Sequence, residues 1–289
     1  MSDPKQLVIL GAEALAVKIP EILQEAQNAS NDGDEEFDTE ALKVLRSRAM
    51  EQPLIVTLSS HFTSPIEEDD SDSLEVHNLI LYCILSRLSF EKLQSYRPAL
   101  KTLAEFDYLS YKSRSSHFAR TMNLITNTKL LDRFSADPED VWIPINKFDY
   151  IAGRTLWERV HTAEQMRPYL YDLFIMWQVD QCQPTFMTCR KQLARFPETA
   201  AAVAAEVMSM AVNDTELQHY LIEFVTECVP IGDAWLPMRP EVEEMVRSLE
   251  SKSKADLEDD GEDYYLDEAR EWLVKLKKWE DGTNKQTGP

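Results

Sequence analysis

The chain has 289 residues, of which 44% are hydrophobic and 28% charged, enough apolar material for one or two cores, so wholesale disorder is excluded. Only seven residues are glycine, and no two lie close enough together to cradle a phosphate, so nucleotide loops of that kind are excluded and long helices are expected. A formal net charge of −21 opposes binding of the chain as a whole to nucleic acid or to an anionic membrane.

Asp3-Pro4 has the form of a helix N-cap with proline in the first turn, and residues 7–27 continue as a helix that Pro20 is expected to kink or divide. A polar connector follows over 28–36. Asp38 is expected to cap a helix over 39–50 that turns Leu42, Val44 and Leu45 inward. The run Leu54-Ile55-Val56-Thr57-Leu58 has strand composition but stands alone, and is read as a short helix. Residues 64–73 are acidic and almost without apolar side chains, which predicts a loop. Residues 74–88 are apolar on most sides and predict a core helix; Ser89 starts another that Pro98 interrupts.

A helix is expected through 117–125. Asp137-Pro138-Glu139-Asp140 then repeats the aspartate-proline form of a helix start, with acids favouring the positive end of the dipole. Pro144 breaks the next stretch, so the helix carrying Trp157 is expected to begin near Phe148. Thr162 and Gln165 have capping-box spacing and open an aromatic-rich helix through Trp177, although Pro168 is expected to delay its start. Residues 199–212 alternate small residues with valine and methionine and predict a central buried helix. Asn213 and Glu216 repeat the capping spacing before a helix over 217–228. Pro230, Pro237 and Pro240 make a stiff connector to a helix over 241–249.

The fold expected is therefore all-α: an irregular multi-helix body over 1–250, an acidic tether over 251–263, an amphipathic helix over 264–280 and a disordered tail over 281–289. In the last helix Tyr265, Ala269, Trp272, Leu276 and Trp279 follow 4, 3, 4, 3 spacing and form one apolar stripe. Behind a flexible tether, that stripe either docks on the chain's own body or fills a partner's groove, and Tyr265, Trp272, Leu276 and Trp279 are the candidate partner-binding residues.

No motif assigns a reaction. The five histidines stand singly, no serine lies in a GxSxG turn, and neither a Walker loop nor a kinase signature occurs. Cys182 or Cys189 with His161 has the residue types of a nucleophile and base, but these lie in separate segments and nothing in the sequence brings them together. Asp256, Glu258, Asp260, Gly261 and Asp267 fall at five positions of an EF-hand loop, but the last is aspartate rather than glutamate and Asp263 replaces the apolar anchor. No cofactor and no metal is expected. The four cysteines form no CxxC pair and read as free thiols of a reducing, cytoplasmic or nuclear compartment. The longest apolar run, 79–85, is far short of a membrane span, so no membrane partner is expected.

Charge is uneven along the chain: residues 107–195 hold 12 Lys/Arg against 10 Asp/Glu, whereas both ends are strongly acidic. The leading expectation is a non-enzymatic helical adaptor or assembly factor whose protein partner carries basic segments. Its rival is a nucleic-acid-binding or encapsidating protein using that middle region, with Lys112, Arg114, Arg120, Lys129, Arg133 and Arg154 on phosphates. A helical enzyme without a recognisable motif is the third reading.

Overall fold

Helix is what these residues build, and what ends each helix decides how the chain divides. The computed structural model describes residues 3–30, 39–65, 71–106, 118–146, 149–177 and 184–286, and among them are sixteen α-helices and no strand. They fall into two compact units, Met1–Asp140 and Val141–Pro289. No helix among the described residues is long and apolar enough to cross a membrane.

In the first unit, α1 (Pro4–Ile9) starts as its sequence predicts, the Asp3 carboxylate accepting the Lys5 N–H at 3.0 Å. The division expected at Pro20 falls instead at Leu10, whose backbone is extended, and α2 (Ala12–Ser30) runs unbroken through Pro20. Two facts explain this. Arg48 donates to the carbonyls of Leu7 and Leu10, satisfying the end of α1. Around Pro20, Ile19, Ile22 and Leu23 are fully buried, so packing holds α2 across the hydrogen bond that proline lacks. In α3 (Glu40–Ser47) the cap is Thr39, which accepts from Leu42 at 3.2 Å; Asp38 lies outside the described residues. Leu42, Val44 and Leu45 are buried as their spacing predicts. The ambiguous 54–58 run is helical, inside α4 (Gln52–Phe62).

The apolar run 74–88 is not one regular helix. It begins as α5 (Ser71–Leu79), widens into a π turn over Ile80–Ile84 and tightens to a 3-10 turn over Leu85–Arg87. After α6 (Phe90–Leu93), Pro98 opens α7 (Arg97–Ala104) rather than interrupting a helix, because its missing N–H falls in the first turn. The last element is α8 (Phe118–Ala136). The expected helix start at 137–140 is a turn after α8: Asp137 accepts from the Glu139 N–H at 2.8 Å, and a stretch without regular structure follows.

The second unit begins with that irregular stretch, which Asp149 ties down. Fully buried, Asp149 accepts from the Trp142 indole and the Ile145 amide, both at 3.2 Å, and caps α9 (Tyr150–Arg159) through the Ala152 amide at 3.0 Å. The Thr162–Gln165 capping box closes reciprocally at 3.1 and 3.3 Å and starts α10 (Ala163–Trp177), which continues through Pro168 without delay. Then come α11 (Pro184–Leu193) and α12 (Pro197–Met210), the latter central and buried along Ala200, Ala201, Val203, Ala204, Val207 and Met208. Asp214, not Asn213, caps α13 (Thr215–Cys228), accepting from Leu217 at 3.0 Å. A 3-10 turn over Asp233–Met238 leads to α14 (Arg239–Glu250).

The tether and the boundary expected at residue 250 are absent. Ser253 caps α15 (Lys254–Asp260), accepting from the Asp256 amide at 3.2 Å. Gly261 at φ 69° ends α15 in the left-handed conformation that glycine adopts without strain, and α16 (Glu262–Gln286) follows at once. α16 packs on α13 and α14, burying Leu266, Ala269, Trp272 and Leu276, and continues past residue 280 where a disordered tail was expected. Of the acids in this stretch, Asp256 is exposed and accepts from the Ser253 hydroxyl at 2.7 Å, and Glu262 pairs with Lys252.

One close approach yields a test. A Cβ on Gly153 in α9 would lie 2.0 Å from Cγ2 of Thr188 in α11, while Gln192 of α11 donates to the Gly153 carbonyl at 3.0 Å. Threonine is stiff at χ1, so the helices must part. Gly153→Ala is expected to destabilise the second unit by about 1–3 kcal/mol in denaturant unfolding, and Thr188→Ser in the same chain should recover much of it. An equal cost with and without Thr188→Ser would place the strain elsewhere.

Candidate interaction surface

Among the described residues, no three His, Cys, Asp or Glu side chains are grouped so as to hold a metal. The EF-hand-like residues lie on α15 and α16 with Gly261 as the break between them, so their spacing belongs to two helices and not to a ligating loop. Cys189 is fully buried, and burial together with the Asp149 charge pushes its thiol up to about 12, far from a nucleophilic thiolate. His161 is exposed; Cys182 and His117 lie outside the described residues.

The stripe on α16 is covered by its own unit. Trp272 is 1% exposed and stacks on Trp235 with ring centroids 5.2 Å apart and planes 8° from parallel. Leu276 is fully buried, and Tyr265 and Trp279 pack half-buried against the same core. Tyr265 also stacks on His219 at 4.4 Å, with the Glu268 carboxylate 3.0 Å from the His219 ring. Burial holds His219 below its ordinary pKa, against the opposing pull of Glu268, Glu223 and Glu216. The reading of Tyr265, Trp272, Leu276 and Trp279 as a partner's docking face is therefore corrected. These residues are core, because their groove is supplied by α13, α14 and the 3-10 turn before α14.

The basic residues are dispersed. Lys112 and Arg114 lie outside the described residues, and Arg154 belongs to the second unit, where it pairs with Glu158. Arg120, Lys129 and Arg133 are all on α8, but at 100° per residue Arg120 falls on the side opposite to Lys129 and Arg133. Arg133 holds Asp140, at 2.9 Å through one of its two bonds.

What the sequence reading missed is an apolar groove on the second unit. α10 buries Leu170, Leu173 and Phe174, and its other side presents Tyr171 and Ile175, one turn apart, at 42% and 39% exposure. Beside them the end of α12 leaves Met210 63% and Val212 59% exposed. Tyr171, Ile175, Val207, Met210 and Leu217 line a groove of about 320 Å³, and among the described residues its one charged wall residue is Asp214, already engaged as the cap of α13. Apolar anchors without catalytic groups are equipped to receive side chains, not to do chemistry on them. The signal lay in α10 itself, whose apolar residues occupy more of its circumference than one buried face requires.

Residues 142–273 match the model of a family described as a domain of unknown function, DUF5071. The match spans less than half of the chain and lies within the second unit, from its second residue to the middle of α16, so it takes in the groove and the buried Trp272. No curated protein and no solved structure matches the chain.

Proposed function

We propose that the protein is a helical adaptor or assembly factor, and that its second unit receives a partner segment carrying apolar anchors interleaved with lysine or arginine. The observation that carries this reading is the groove between α10 and the end of α12, a contiguous set of exposed large apolar residues. Charge selects the occupant: the second unit holds 27 Asp/Glu against 16 Lys/Arg, which draws in a basic segment and repels an acidic one. The free thiols Cys83, Cys189 and Cys228 fit a reducing, cytoplasmic or nuclear setting. The nucleic-acid reading has less support, since Arg133 and Arg154 are held by carboxylates and α8 does not gather its cations on one side.

The test is capture of a stoichiometric partner from nuclease-treated native extract by wild type and by the Ile175→Asp, Met210→Asp double variant. Met210 is 63% and Ile175 39% exposed, so the melting temperature should fall by a few degrees at most, and circular dichroism of the double variant should show the helicity of wild type. Affinity should fall about tenfold or more, and cross-links from position 210 should map to a basic, apolar-anchored segment. Capture that survives both substitutions, or that nuclease abolishes, overturns the proposal; the latter favours nucleic acid.

A further inference from the structure

In the first unit, Glu75, Asn78, Leu79 and Tyr82 are spaced three, four and seven residues along one side of α5 and the π turn that extends it. Arg120 and Asn123 are spaced likewise on α8, which packs against α5. The two rows flank an open cavity of about 250 Å³, with Leu79 and Cys83 as its apolar part. The π turn sits at this wall, and such turns re-aim the side chains that follow them.

Four polar side chains of the cavity are uncommitted. Among the described residues, the Arg120 guanidinium, the Glu75 carboxylate and the amides of Asn78 and Asn123 have no hydrogen-bond or ion-pair partner, and Glu75 and Arg120 are not paired with each other across the gap. In a fold that pairs most of its arginines with carboxylates, an unpaired cation and an unpaired anion on opposite walls of one cavity are unusual. Asn127, one turn on from Asn123, is 2% exposed and donates to the Tyr82 hydroxyl at 3.3 Å, while its own side-chain oxygen has no donor among the described residues. A buried acceptor left unmatched beside a polar cavity is what a protein tolerates where a polar guest completes the network.

We propose that this cavity binds a small zwitterion of the α-amino-acid type, its carboxylate on Arg120 and the Asn78 and Asn123 amides and its ammonium on Glu75. A simple anion would meet the Glu75 charge, and a simple cation that of Arg120; only a guest bearing both charges uses both walls. The volume lies below that of pockets for drug-sized molecules, which restricts the guest to amino-acid dimensions, with its side chain against Leu79 and Cys83.

The experiment is calorimetric titration of the full chain with each proteinogenic L-amino acid, with acetate, methylammonium and inorganic phosphate as single-charge probes. At least one amino acid should bind, and raise the melting temperature. Arg120→Gln and Glu75→Gln should each weaken it about tenfold or more, the loss of one charge-assisted contact. Neither side chain is buried, so circular dichroism should show unchanged helicity in both variants. The proposal is overturned if no amino acid binds, or if binding is the same in both variants. It is equally overturned if acetate or phosphate binds and Glu75→Gln strengthens it, which would make this an anion site.

Discussion

Trp272→Ala is expected to destabilise the second unit by about 3–5 kcal/mol, the cost of emptying a buried tryptophan site, and so to remove a large share of an ordinary domain's stability. Trp272 is 1% exposed and lies in the same core as Leu221, Phe224, Met238 and Val242. Trp272→Phe should cost clearly less. It keeps a ring to stack on Trp235 and removes an indole N–H that has no acceptor among the described residues, a group whose burial costs about 1–3 kcal/mol. Val274, two residues on and half exposed, is the control: Val274→Ala should stay within about 0.5 kcal/mol. Removing residues 254–286 should abolish cooperative unfolding of the second unit, because α14 and α13 would both lose the helix that covers them. Denaturant unfolding followed by tryptophan fluorescence and by circular dichroism measures all four, and a Trp272→Ala protein as stable as wild type would show that α16 is not part of the core.

The reading of that stripe shows which part of the fold is legible in the sequence. Its spacing gives the helix and its apolar side without error, since both follow from 3.6 residues per turn. Where the side docks does not follow, because the groove that receives Trp272 is assembled from Trp235, α13 and α14, up to some fifty residues away. The tether failed for a related reason. Eight residues rich in Asp and Glu have the composition of a solvated linker, yet Ser253 and Gly261 provide a cap and a stop that let a short helix form between them. Pro20 and Pro168 likewise remain inside helices because buried neighbours such as Ile19, Ile22, Met166 and Leu170 override the local cost. Of the two candidate sites, the groove on α10 and α12 was half visible as surplus apolar residues. The cavity between α5 and α8 was invisible, because its four polar residues look like ordinary helix surface until two helices face each other.

Asp149→Ala is expected to cost the second unit about 3 kcal/mol, combining the loss of a helix cap with buried donors left unpaired. The carboxylate accepts from both the Trp142 indole and the Ile145 amide, and it starts α9 as well. Without it the stretch 141–146 loses its anchor to α9, and the indole of Trp142, 6% exposed, loses a charged acceptor inside the core. Asp149→Asn should cost less than alanine but not be neutral, because an amide offers one acceptor oxygen where the fold presents donors to both. Acid separates this carboxylate from one stabilised as an anion. Burial raises the Asp149 pKa despite its hydrogen bonds, so between the ordinary carboxyl value and the raised folded one the native unit binds more protons than the unfolded chain. Wild-type stability relative to Asp149→Ala should therefore grow as pH falls from neutrality through that window, even while other carboxylates lower the stability of both. A gap that narrows on acidification would mean that the N–H donors of Ala152, Ile145, Trp142 and Ile151 outweigh desolvation and hold Asp149 as an anion.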